Sequence, residues 1–239
     1  MPVIALSIEP HALDRTFAEV LTKSLGLEVI DLRDFERRLA WNCGAEDVQP
    51  SALPKQIRRY SNPGMDWPMT SRQLATRIHE LVLETAAEGN VAVLSWSASA
   101  VLRPMHHVAR VLVRASTAYR AATVQHELAY THLETACMEI ASEDTAIHGF
   151  VESTFNSDWQ DPNAFSLVIN SECMSVRQTI ALIATLMTCP RFRDDQRARA
   201  EIALRLRKLH VEEEQNASCF ASSTKSGPKQ TLFRFPMVS

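Results

Sequence analysis

One pattern constrains this chain more than any other: short apolar runs of strand length, each followed by a stretch whose apolar residues recur at helical spacing. Val3 to Ser7 (Val-Ile-Ala-Leu-Ser) reads as a buried strand, and Asp14 to Leu25 as a helix closing on Gly26. Leu27 to Leu32 reads as a second strand, and Arg33 to Asn42 as a helix with a mixed charged face. After a segment broken by Pro50, Pro54, Pro63 and Pro68, which predicts an irregular insertion over 43–69, a long helix is expected from Ser71 to Ala87, ending at Gly89. Val91 to Leu94 and Val108 to Val113 give strands three and four, each followed by helical spacing. Residues 131 to 155 read as helical, Ser166 to Ile169 as strand five, and Val176 to Met187 as an apolar helix stopped before Pro190. Strands alternating with helices imply βαβ units and a parallel sheet, with ligands bound at the carboxyl ends of the strands.

The expected organisation is an α/β domain over 1–190, a charged amphipathic helix over 191–215 and a disordered tail over 216–239. Phe192, Ile202, Leu206 and Leu209 fall on one face of that helix, and two readings stay open: the face packs on the chain's own domain, or it meets a second copy or another protein. No apolar run reaches the roughly 18 residues needed to cross a bilayer, and the amino terminus lacks a secretory pattern, so a cytoplasmic protein is expected. A net charge of −3 gives no reason to expect nucleic acid as a partner. The five cysteines contain no C-x-x-C pair, and His106, His107, His126 and His132 lack ligands at metal spacing, so no metal is expected.

Glycine is scarce, with only six in 239 residues, about a third of the usual ~7%. This bears on the loop after the first strand. A P-loop protein places G-x-x-x-x-G-K-[ST] there, glycine N–H groups cradling phosphate, Lys neutralising it and Ser or Thr binding Mg²⁺. Here the loop reads Glu9-Pro10-His11-Ala12-Leu13-Asp14-Arg15-Thr16: carboxylates stand at both glycine positions, Arg15 replaces the lysine and only Thr16 is retained.

The position of this loop nonetheless resembles that of the cytidylate-kinase-like family of bacterial P-loop nucleotide kinases, whose opening runs like V-I-T-I-S-R-E-x-G-S-G-G-R-x-I-A. Without a gap, Ser7, Glu9, Arg15 and Ala18 match, while the glycine-serine-glycine-glycine core is His11, Ala12, Leu13 and Asp14. A family-like G-x-x-V-I-V-G-R-G-A segment is represented by Gly89 to Ala98, with Trp96 at the arginine and Ser95 and Ser97 at its glycines. Asp158-Trp159-Gln160-Asp161-Pro162 leading to Leu167-Val168-Ile169-Asn170 is similar to the family's D-W-x-D-P and D-L-V-I-N, with Ser166 at the aspartate before that strand. The family's lid pattern, D-x-x-R-x-x-Y-x-R, falls on Asp144, Ile147, Phe150 and Glu152, so both lid arginines are absent.

The resemblance covers roughly residues 3 to 188 and implies a nucleoside-monophosphate-kinase-like fold, a five-stranded parallel sheet flanked by helices. It implies ATP and Mg²⁺ as cofactors if kinase activity survives, with Arg15, Thr16, Arg103 and Arg120 as the remaining candidates for binding a nucleotide or other anion. Phosphoryl transfer depends on positioning and charge stabilisation, and a transition-state arginine contributes about 10³ to 10⁵ in rate. Asp14 would repel a phosphate by roughly 4 kcal/mol per unit charge at ~4 Å and an effective dielectric near 20. The expected function is therefore a degenerate pseudo-enzyme with a scaffold or weak anion-binding role. The alternatives are an active CMP or dCMP kinase with atypical contacts, or an interaction scaffold acting through the C-terminal helix.

Bland roles compete at each position. Asp14 is a good helix cap, Arg15 an ordinary exposed first-turn residue, Trp96 a core filler, and Arg103 and Arg120 partners in simple salt bridges. Glu9 and His11 form a conceivable base and acid pair, His106 and His107 read as strand-edge residues, and Asp158 and Trp159 as organisers of the turn before strand five.

Overall fold

The computed structural model describes residues 2–14, 16–31, 34–35, 37–38, 71–128, 132–192 and 196–223. The expected insertion over 43–69, most of the 33–42 helix, Arg15 and the tail from 224 onward lie outside them. Strands β1 (Val3–Ile8), β2 (Glu28–Ile30), β3 (Val91–Leu94), β4 (Ala109–Arg114) and β5 (Leu167–Asn170) form one sheet in the order β2-β3-β1-β4-β5. Every pairing is parallel, with Ala5 opposite Val93 on one side and Arg110 on the other. The five-stranded parallel sheet is thus the one expected.

β1 is central because it can be: Val3 through Leu6 are buried on both faces, as a parallel strand covered on both sides requires. Helices α1 (Phe17–Leu25) and α6 (Val176–Met187) cover one face, burying Phe17, Leu21, Ile180 and Ile183 against Ile4, Leu6 and Val111. On the other face, α2 (Ser71–Glu88), α3 (Ala98–Val101) and α5 (Leu133–Phe155) bury Ile78, Val82, Val101, Ile147 and Val151 around Ala5, Val93 and Leu112. A further helix, α4 (Thr117–Leu128), packs on α5 through Ala121, Val124, Ala136 and Ile140.

Local chemistry sets the ends of these elements. Gly26 ends α1 in the left-handed region (φ 64°), its N–H donating to Thr22 O, and Asn156 closes α5 likewise (φ 48°). Ser175 and Gln178 form a reciprocal capping box on α6. α1 begins at Phe17, not Asp14, because the Asp14 carboxylate accepts the Thr16 N–H (2.7 Å) and holds the chain in a turn just before the helix. His106 and His107 occupy the turn before β4, outside the strand.

The C-terminal helix α7 (Gln196–Ser223) extends beyond 215, so residues 216–223 continue the helix in place of the expected disordered tail. Its apolar face lies on the chain's own core: Ile202 is 2% exposed, and Leu206 and Leu209 pack beside it. His210 stands 3.7 Å from Glu80 of α2, and His107 3.9 Å from Glu201. Among the described residues no helix is long and apolar enough to cross a membrane, and Cys137, Cys173 and Cys189 are free thiols.

Candidate functional site

The loop Glu9–Asp14 leaves the carboxyl end of β1, at the edge of the sheet where ligands of open parallel sheets sit. Glu9 continues the pairing with β4, its N–H donating to Val113 O (2.9 Å). Its carboxylate, with the residue only 1% exposed, is surrounded by donors. Oε2 accepts from the Ala115 N–H (3.0 Å) and lies 3.8 Å from Arg120 Nε; Oε1 accepts from Gln160 Nε2 (3.2 Å) and lies 3.3 Å from Arg114 Nη2. Glu9 is therefore not paired with His11, whose Nε2 faces Glu143 of α5 at 3.6 Å.

Arg120, near the start of α4, is 2% exposed. Its guanidinium donates in a fork to both oxygens of Asp144, at 2.9 and 2.7 Å, and its Nη1 also reaches Pro10 O (3.4 Å). Burial alone would lower its pKa. The hydrogen bond and charge of Asp144, with the charges of Glu9 and Glu143, overcome that and hold it above the ordinary arginine value. This candidate for gripping a phosphate is thus already faced by two carboxylates of its own chain. Sequence reasoning missed Asp144 in this role, although it was legible as the aspartate of the lid pattern. It also missed Arg114 and Gln160.

The loop itself is closed rather than cradle-shaped. His11 takes a left-handed conformation (φ 63°), Ala12 N–H donates to Glu9 O (3.0 Å), and Ala12 is buried. The Ser171 hydroxyl, just beyond β5, lies 2.6 Å from Ala12 O and 3.2 Å from Arg114 O, tying the loop to the ends of β4 and β5. Asp14 Oδ1 accepts from both the N–H and the hydroxyl of Thr16, at 2.7 and 2.5 Å. The hydroxyl retained from the phosphate-loop pattern is thereby donated to a carboxylate, and so is one of the amides at the start of α1.

The other altered positions are structural. Trp96 is 7% exposed and donates from Nε1 to Ile8 O (3.0 Å), filling the core at the end of β1. Ser95 and Ser97 share a buried hydroxyl contact (2.8 Å). Ile147 is fully buried on the inner face of α5, while Glu152 is exposed with His148 at 3.6 Å. Asp158 accepts the Gln160 N–H (2.8 Å) and Trp159 is buried, so both do organise the turn before β5. Arg103 is not brought to Arg120: its carbonyl accepts from Arg110, at the opposite end of β4.

Beside the closed loop lies a cavity of about 430 Å³, bordered by His11, Leu13, Asp14, Tyr119, Ser171, Met174, Val176 and Arg177. Its border joins apolar side chains to a few polar groups. Among the described residues no group of three or more metal-ligating side chains occurs.

Comparison with known proteins follows the same lines. An uncharacterised protein from Eubacterium ventriosum is similar in fold, with a TM-score of 0.57 at 12% identity over 78% of this chain and 98% of that one. A shikimate kinase from Bacteroides thetaiotaomicron aligns with a TM-score of 0.48 at 10% identity, over 79% of this chain and 99% of that one. No curated protein matches by sequence. The model of the cytidylate kinase-like family matches residues 3–173, from β1 to the turn after β5, and the chain belongs to that family.

Proposed function

We propose that this chain is a pseudo-enzyme of the cytidylate kinase-like family, one that keeps the kinase scaffold and a small-molecule cavity without efficient phosphoryl transfer. One observation carries the reading: Arg120, the buried anion candidate at the strand ends, is held in a fork by Asp144 and flanked by the buried Glu9. A phosphoryl group entering there would have to displace a carboxylate from a buried pair, leaving that charge uncompensated. The residues fit ATP and Mg²⁺ poorly. Thr16 donates its hydroxyl to Asp14, and the lid position Ile147 is in the core.

The cavity beside the loop supports the retained part of the proposal, weak binding of a nucleotide or other small anion, with Arg177 and Ser175 on its rim. It is also the observation that keeps the kinase alternative in play. The scaffold reading through α7 loses its proposed apolar face, which lies on the core.

Purified protein given CMP or dCMP with ATP and Mg²⁺ is expected to show no nucleotide-dependent phosphoryl transfer above background. Steady turnover that disappears on substituting Arg120, in a variant shown to remain folded, would overturn the reading. Calorimetry with ATP supplies a second measure: tight binding by the unaltered chain would contradict the closed loop.

A further inference from the structure

The amino-terminal end of β4 carries a second group of arginines with the opposite balance of charge. Arg110, at the start of the strand, is half-buried and donates from Nε to Ala164 O (2.8 Å) and from Nη1 to Arg103 O and Met105 O (3.3 and 3.2 Å). Arg191, in the turn after α6, donates from Nε to His106 O (3.0 Å), with its Nη2 3.4 Å from His106 Nδ1. Arg103 lies exposed beside them. Every acceptor held by Arg110 is a neutral carbonyl, and among the described residues none of the three arginines has a carboxylate partner. Ser166, standing where the family resemblance expects an aspartate, meets only the backbone of Arg110: its hydroxyl accepts the Arg110 N–H (3.3 Å) and its own N–H donates to Arg110 O (2.7 Å).

We propose that Arg103, Arg110 and Arg191 form a binding site for a phosphate-class dianion, either free phosphate or the terminal group of a phosphate monoester. Backbone carbonyls fix two of the guanidiniums in place, so little side-chain freedom remains to be lost on binding. Among the described residues Arg110 Nη2 has no acceptor, which leaves it available to an oxyanion. Burial and the charges of Arg191 and Arg103 also hold Arg110 below the ordinary arginine pKa. An anion would relieve the repulsion among the three.

A compact ligand fits better than a polyanion. The chain carries a net charge of −3, and Glu201 stands beside His107, next in sequence to His106, so acidic charge interrupts the basic surface near the group. The site is separate from the candidate site: Arg110 and Arg114 lie four residues apart on one strand, about 13 Å. Asp194 and Asp195, which follow Arg191 closely in sequence, lie outside the described residues.

The test follows arginine Nε–H signals by NMR while inorganic phosphate replaces chloride at constant ionic strength. The full-length native chain is expected to show saturating shifts of Arg110 and Arg191. The R103Q/R191Q variant should bind phosphate at least about tenfold more weakly, as loss of charge-assisted contacts implies, and the exposed R103Q alone serves if the double variant fails to fold. Tighter binding of glycerol 3-phosphate than of phosphate assigns a monoester, and equal binding free phosphate. The proposal is overturned if the native chain shows no saturable shift, if R103Q/R191Q binds unchanged, or if R177Q abolishes binding and R103Q/R191Q does not, which would place the ion in the cavity. A short single-stranded oligonucleotide binding more than about a hundredfold tighter, with steep salt dependence, would overturn it in favour of nucleic acid. None of these outcomes depends on whether the chain transfers phosphoryl groups.

Discussion

Strand β4 joins two arginine groups that look alike in sequence and differ in what surrounds them. At its carboxyl end, Arg114 and Arg120 face Glu9 and Asp144, and Arg120 is sealed from water with its charge matched. At its amino end, among the described residues, Arg103, Arg110 and Arg191 meet backbone carbonyls, the His106 ring and one another's charge, and no carboxylate. The first group lies where the family's phosphate chemistry is expected, yet it has been turned inward and made structural. The second lies at the opposite end of the strand, and among the described residues no carboxylate pairs with it. An arginine therefore marks an anion site only where the chain withholds its own counter-ion.

The most severe way to disturb the matched end is to add a cation there. Ile147→Arg, which would restore a lid residue by the family's pattern, instead places a guanidinium in a fully buried position of α5. It is expected to cost more than about 4 kcal/mol, the range of an unpaired buried charge, and to yield no turnover. Chemical denaturation checks the first part. A stable I147R protein would mean that α5 can swing out as a lid and that the matched end is open to ligands.

Removing the cation comes next. Arg120→Met leaves Glu9 and Asp144 without their partner and should lower stability by about 3 kcal/mol, the range for breaking a buried pair. Urea unfolding with an unchanged m-value would confirm it. A loss under about 1 kcal/mol would show that the pair is as replaceable as a surface bridge, and the closed-site argument would fall with it.

How much of this was legible depended on distance along the chain. β3 and α6 appear where their patterns placed them, because a short all-apolar run between turn residues and a Ser-capped helix ended before Pro190 are local signals. The start of α1 was misplaced by a local competitor: Asp14 binds the chain two residues on and delays the helix. The burial of Ile202 was one of two readings of the same periodicity, since an amphipathic face does not say what covers it. The pairing of Arg120 with Asp144 and the meeting of Arg103 with Arg110 and Arg191 had no local signal. Both depend on how a helix hairpin and a crossover bring distant segments together. Arg103 was accordingly grouped with Arg120, whereas its carbonyl is used by Arg110 at the other end of β4.

A smaller effect separates the closed loop from the fork beneath it. Asp14→Ala frees the Thr16 N–H and hydroxyl and should cost about 1 kcal/mol, as loss of a helix-start acceptor does. It should also strengthen ATP binding measured by calorimetry, because it removes a carboxylate and releases donors at one step. If affinity stays unchanged while stability falls, the loop is closed by Glu9 and His11 and not by Asp14.

The smallest stability effect sharpens the contrast most. Arg103 is exposed, and among the described residues no hydrogen bond holds its guanidinium, while its carbonyl is used by Arg110. Arg103→Gln therefore removes a charge without breaking a contact, and it reduces the repulsion that burdens Arg110. Stability should change by no more than about 0.5 kcal/mol, the range of ordinary surface substitutions, and the direction should be upward at low salt, where like charges are least screened. Added salt should shrink the gain. Thermal unfolding of native and R103Q protein over a series of chloride concentrations gives both sign and trend. A clear loss of stability at low salt would mean that Arg103 has a counter-charge after all, and the two ends of β4 would then be alike.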